Sequence, residues 1–120
     1  MIILADTRPL IKQITKIANT LKETVYDDII IEGVFGGQQF SSNGCHILIT
    51  TNGNLKNSIQ KFIHTSVKLL IIDEADVVMK SDFSNVFLPQ LIIKVLNPAC
   101  KLLLTTATST DISKNFLNKI

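Results

Sequence analysis

Leu69-Leu70-Ile71-Ile72-Asp73-Glu74-Ala75-Asp76 is an uninterrupted apolar run that ends in three carboxylates. With Val67 before it, the run reads as a strand buried on both faces, the mark of a central parallel strand in an α/β sheet. The carboxyl end of such a strand is where open α/β sheets place their chemistry. Asp73 is the first residue to leave the sheet, where its carboxylate would hold a hydrated Mg²⁺ bridging the phosphates of a nucleotide. Glu74, one residue on, would polarise an attacking water. Asp76 points elsewhere and is free to bond a hydroxyl on a neighbouring strand. The same acids also read as plain helix-start residues, because carboxylates favour the positive end of a helix.

Outward from this strand the pattern alternates. Apolar segments at residues 2–4, 29–31, 47–49, 68–72 and 101–105 are separated by helical patterns near residues 9–23, 55–62, 83–96 and 110–118. That alternation predicts an α/β fold, a parallel sheet with right-handed crossovers and flanking helices. At 120 residues there is room for one domain, and 46% hydrophobic with 18% charged residues excludes a disordered tail. Leu10, Ile14, Ile17 and Leu21 are spaced for one helix face and are expected in the core.

Charge decides little, since a net charge of +2 is too small to point to nucleic acid by itself. Cys45 and Cys100 form no Cys-x-x-Cys unit and no metal-like spacing with His46 or His64, so both read as reduced thiols and no zinc site is expected. The two histidines read as strand-start and helix-end residues. No apolar run approaches the roughly 20 residues that a membrane span needs, and Met1 to Ala5 is too short for a secretory signal. The expectation is an intracellular protein, nuclear and/or cytoplasmic, without membrane insertion.

The tetrapeptide Asp73-Glu74-Ala75-Asp76 resembles motif II of the DEAD-box ATP-dependent RNA helicases, and further segments follow in that family's order. Asp6-Thr7-Arg8-Pro9-Leu10-Ile11-Lys12-Gln13 resembles Pro-Thr-Arg-Glu-Leu-Ala-x-Gln, matching at Thr7, Arg8, Leu10 and Gln13. Gly36-Gly37 resembles the paired glycines that approach the RNA backbone. Thr51-Asn52-Gly53-Asn54-Leu55 resembles Thr-Pro-Gly-Arg-Leu, matching at Thr51, Gly53 and Leu55. Thr106-Ala107-Thr108 resembles the Ser-Ala-Thr motif that links hydrolysis to RNA handling, with Asp76 the expected partner of Thr106.

The resemblance implies a RecA-like (P-loop NTPase-type) sheet and ATP with Mg²⁺ as cofactors. It assigns Asp73 to the metal and Glu74 to the water, and assigns coupling to Asp76, Thr106, Ala107 and Thr108. Single-stranded RNA backbone, or a ribonucleoprotein, would lie on Thr7, Arg8, Gly36, Gly37, Thr51 and Gly53. Residues 77–79 and 96–104, with Asp111 and Phe116, look more like the mRNA-export subgroup, implying nuclear-pore or RNA-processing proteins as partners. Each segment also has a plainer reading. Thr7 and Pro9 suit a helix start, the glycine pair suits an ordinary turn, and Asn52-Gly53 suits a turn before a helix.

Departures from the family pattern are specific. Asn54 stands where the family has an arginine, which removes one charged phosphate contact. Asp6 and Pro9 replace a proline and a glutamate. Arg8 is the only arginine in the chain and, since lysine does not reproduce a planar guanidinium at a phosphate, the first choice among RNA contacts. No Gly-x-x-x-x-Gly-Lys-Ser/Thr phosphate loop occurs. The adenine-recognising segment and the second RecA-like domain are missing as well. The expectation is therefore that residues 1–120 are a partial first RecA-like domain, incomplete at the N-terminus, with no ATP turnover on its own.

Removing the loop-bearing strand from a RecA-like sheet would also expose the edge at Leu102-Leu103-Leu104, so this polypeptide is expected to be marginally stable or self-associating. A catalytically silent RNA- or protein-binding module derived from such a domain is the alternative reading. A phosphoacceptor receiver fits poorly, since it needs a lysine at the end of its last strand and Lys101 begins one.

Overall fold

The computed structural model describes residues 1–25, 27–36, 38, 44–58, 67–78, 80, 89, 99–106 and 118. Its centre is a sheet of five parallel strands: β1 (Ile2–Leu4), β2 (Ile31–Val34), β3 (Ile47–Thr50), β4 (Leu69–Ile72) and β5 (Lys101–Leu104). The spatial order is β2-β3-β1-β4-β5. Helix α1 (Arg8–Val25) follows β1, α2 (Asn52–Ser58) follows β3, and the short α3 (Ala75–Val78) follows β4. Because every strand runs the same way, the carboxyl ends of all five lie along one crest.

Side chains alternate across this sheet as the two-residue strand period demands. Ile2, Leu4, Val34, Leu48, Leu70 and Ile72 pack on one face with Leu55 of α2 and with Ala75 and Val78 of α3. Ile3, Ile31, Ile47 and Ile49 pack on the other with Leu10, Ile11, Ile14 and Ala18 of α1. Helices therefore cover both faces, which is the layered α/β arrangement that the alternating pattern predicts.

Three expectations need correction. First, β4 lies between β1 and β5 and not at the sheet centre, which β1 occupies. Leu70 and Ile72 are buried, but Leu69 and Ile71 are only half-buried, on the face where α1 packs over β2 and β3. Second, β2 spans Ile31–Val34 and not residues 29–31; Ile30 is 50% exposed. Its strand signal was interrupted by Glu32 and Gly33, and pairing with Ile47–Thr50 sets the register. Third, Ile17 and Leu21 are 52% and 62% exposed, not core. An 18-residue helix is about 27 Å long, whereas strands of three or four residues reach only about 10–13 Å, so the second half of α1 runs past the sheet.

The helices expected at residues 83–96 and 110–118 fall outside the described residues, except for Pro89 and Asn118. The same is true of the end of the pattern at 55–62, of which α2 covers the first part. Among the described residues no helix is long and apolar enough to cross a membrane.

Candidate functional site

The described candidate residues lie in the segments that follow the strands, at the crest. At the end of β1, Thr7 is the N-cap of α1: its carbonyl accepts from the Ile11 N–H at 3.0 Å and its hydroxyl from the Leu10 N–H at 3.4 Å. Pro9 occupies the first turn, where its missing N–H costs nothing. The capping role read from the sequence is therefore realised, and the exposed hydroxyl still has its proton to donate. Thr51 repeats the device at the end of β3, taking the Leu55 N–H on its carbonyl at 3.0 Å and the Asn54 N–H on its hydroxyl at 3.4 Å.

Gly53 lies inside α2 rather than in an Asn-Gly turn, and a Cβ added there would meet nothing within 4 Å. Packing does not require a glycine at this position. The Asn54 side chain is turned inward, leaving the residue 8% exposed, so α2 offers no charge there.

At the end of β2, Gly36 has φ +61°, a left-handed conformation that disfavours other residues. The Arg8 guanidinium lies directly on it: a Cβ at Gly36 would come within 2.8 Å of Arg8 Cζ and 2.9 Å of a terminal nitrogen. Arg8, at the start of α1, and Gly36, at the exit of β2, thus form one contact. The buried hydroxyl of Thr50 donates to the Val34 carbonyl at 2.8 Å and ties the ends of β2 and β3 together.

β4 delivers the acids. Its last residue is Ile72, so Asp73 leaves the strand as expected, its N–H still donating to the Leu4 carbonyl at 2.9 Å. Glu74 is exposed at φ +48°, an unusual conformation for a residue with a Cβ. The turn is held by Thr105, which the sequence pattern places only at the end of the apolar segment 101–105. Its hydroxyl donates to Asp73 Oδ1 at 2.5 Å and accepts from the Glu74 N–H at 3.2 Å, and its carbonyl accepts from the Ala75 N–H at 2.8 Å. The signal available was a threonine one residue past the strand that pairs with β4. Asp76 is half-buried in α3, and the exposed Thr106 follows Thr105.

Among the described residues no group of three or more His, Cys, Asp or Glu gathers to hold a metal. Lys101 pairs with Leu69 at the amino end of β4, the far end from Asp73, so the lysine that a phosphoacceptor site requires is on the wrong edge.

A family model described as DEAD/DEAH box helicase matches residues 1–116. The chain belongs to the DEAD/DEAH box helicase family. Over 97 residues, 70% of the chain, it is 33% identical to the pre-mRNA-splicing ATP-dependent RNA helicase PRP28 of Saccharomyces cerevisiae, of which the match covers 16%. Over 98% of the chain it is 28% identical to the ATP-dependent RNA helicase eIF4A of Eremothecium gossypii, of which the match covers 32%. The chain thus spans a third or less of these relatives.

The crystal structure of yeast Prp28 superimposes with a TM-score of 0.71 and 27% identity, covering 98% of this chain and 29% of that one. A structure of S. cerevisiae Dbp5 superimposes with a TM-score of 0.79 over 98% of this chain and 32% of that one; at 19% identity it shows the fold alone. The fold is RecA-like, as in these DEAD-box neighbours. The helicase-family segments that bear Thr7, Arg8, Gly36, Thr51, Gly53, Asp73 and Glu74 all reach the one crest. Gly37, Ala107 and Thr108 lie outside the described residues.

Both cysteines are free, as expected. They sit away from the crest, Cys45 shortly before β3 and Cys100 immediately before β5. Burial, with the Glu32 carboxylate beside it and hydrogen-bonded to it, pushes the Cys45 thiol above its ordinary range. His46 likewise has a structural role at the start of β3, its Nδ1 accepting the Ile30 N–H at 2.9 Å. His64 is outside the described residues.

Proposed function

We propose that this chain is the later part of the first RecA-like domain of an ATP-dependent RNA helicase, and that its crest carries the backbone of single-stranded RNA. The observation that carries this reading is the Arg8 guanidinium seated on Gly36, on the same crest as the capped helix starts at Thr7 and Thr51. These groups offer hydroxyls and a guanidinium to phosphates. Affinity in such a site comes from the backbone and is salt-dependent.

In the whole helicase, Asp73 would hold Mg²⁺ through the nucleotide and Glu74 would orient water. Asp76, with Thr106, Ala107 and Thr108, would link the phosphate end to the RNA end. The phosphate loop and the second domain would come from segments beyond these 120 residues, so the chain alone is expected to turn over no ATP. Turnover by this polypeptide that Glu74→Gln abolishes would refute that expectation. The setting is intracellular, nuclear or cytoplasmic. The finer assignment to mRNA export rests on the resemblance at residues 77–79 and 96–104, with Asp111 and Phe116, and the Nup159 and Gle1 named in the Dbp5 structure are the class of partner to test.

The test is the affinity of the chain for an unstructured oligouridine, by fluorescence anisotropy, with and without ATP and Mg²⁺. The expected result is salt-dependent binding that Arg8→Ala weakens. No binding, or binding indifferent to Arg8→Ala, refutes the RNA assignment. Binding by this chain that ignores ATP and Mg²⁺ is also what a silent RNA-binding module would show, and the same measurement on the whole parent protein separates the two.

A further inference from the structure

Arg8 has a companion that the family resemblance does not assign. Lys12 lies one helical turn further along α1, so the two cations share a face about 6 Å apart at their Cβ atoms. The Lys12 ammonium sits over the Phe35 ring, 5.4 Å from its centroid, within the range of a cation–π contact. Phe35 immediately precedes Gly36, the residue on which Arg8 rests. One turn at the exit of β2 therefore seats both positive charges.

That turn is itself held. The Phe35 N–H donates to Gln38 Oε1 at 3.1 Å, and the Gln38 N–H donates to the Phe35 carbonyl at 3.2 Å. The ring also packs against the core on the α1 side of the sheet. A lysine ordinarily loses much side-chain freedom on meeting a phosphate, and one resting on a fixed aromatic face has given up part of it already. The ammonium covers one face of the ring and keeps three N–H donors for an anion. Phe35 is accordingly a seat for a cation rather than a platform for a base.

We propose that Lys12 is a second phosphate contact, placed by Phe35 beside Arg8, and that it supplies the charge that Asn54 does not. This rests on the RNA reading of the crest. Two cations fixed on one turn would grip neighbouring phosphates of a single strand without regard to base.

The experiment is the salt dependence of oligouridine binding by the full chain, compared with Lys12→Met and Arg8→Ala. Methionine keeps an apolar stem over Phe35 and removes only the charge, and circular dichroism with thermal melts checks that each variant is folded. Each phosphate contact contributes about 0.7 to the slope of log affinity against log salt for a single strand. Lys12→Met is expected to lower the slope by about that amount and to weaken binding severalfold at low salt, and Lys12→Arg to restore it. A folded Lys12→Met with the wild-type slope, while Arg8→Ala lowers it, overturns the Lys12 assignment and leaves the RNA reading standing. Loss of any Arg8 effect, or no binding by the parent chain, overturns the RNA reading and this proposal with it.

Discussion

Among the described glycines, Gly33 leaves the least room for a side chain, because α1 packs directly over it. A Cβ built there would fall onto Thr15 Oγ1, closer than real Cβ atoms approach anything, and would lie 3.1 Å from Thr15 Cγ2 and 3.2 Å from its Cβ. The clash is with a stiff neighbour. Thr15 is β-branched, and its hydroxyl donates to the Ile11 carbonyl at 2.7 Å, so turning it away breaks that bond and strains its rotamer. Otherwise the helix must lift from β2 and open the packing around Ile11.

Overpacking of this kind costs about 1–3 kcal/mol. Gly33 is not among the glycines with positive φ, so replacing it by alanine also lowers the entropy of the unfolded chain, worth about 0.4–1 kcal/mol in favour of the variant. Gly33→Ala should therefore destabilise by about 1–2 kcal/mol, moving a urea midpoint down by about 1 M. The assay is equilibrium unfolding of the wild type, Gly33→Ala, Thr15→Ala and the double variant. Removing Oγ1 and Cγ2 makes room, so the cycle should return a favourable coupling of about 1 kcal/mol or more. A Gly33→Ala protein as stable as the wild type, or a coupling indistinguishable from zero, would refute this account of the interface.

Thr105→Val should destabilise by about 1–2 kcal/mol, because it removes the hydroxyl that serves both Asp73 Oδ1 and the Glu74 N–H; Thr105→Ser should recover most of the loss, and equal melting temperatures for all three proteins would argue against the bond. The raised Cys45 thiol keeps its proton in the folded state at pH values where the unfolded chain has lost it, so its share of stability is present below the ordinary thiol value of 9.0 and is lost as pH rises above it. Cys45→Ala should flatten the alkaline fall in a pH series of unfolding midpoints, and an unchanged slope would count against the shift. Among the described residues β5 pairs only with β4, and Leu103 on it is 49% exposed. Concentration-dependent association is therefore expected in analytical ultracentrifugation and should diminish in Leu103→Lys; a monomer at every concentration, with a cooperative thermal transition, would contradict it.

The strand that ends in Asp73 was legible because a run of four apolar residues closed by carboxylates has few other uses in a parallel sheet, and the caps at Thr7 and Thr51 were legible because capping is a local matter of side chain and backbone. Family membership was legible in the order of short motifs. What the sequence by itself determined was therefore the layered α/β class and the residues at the strand ends. Tertiary structure alone decided the rest. Periodicity puts Ile17 and Leu21 on the same stripe as Leu10 and Ile14, but only the length of the strands beneath α1 leaves them exposed. The seat of Arg8 on Gly36, the nearby seat of Lys12 on Phe35 and the bond between Thr105 and Asp73 join residues 23 to 32 positions apart. Their meeting depends on which strands become neighbours, a property of the whole sheet that no local pattern encodes.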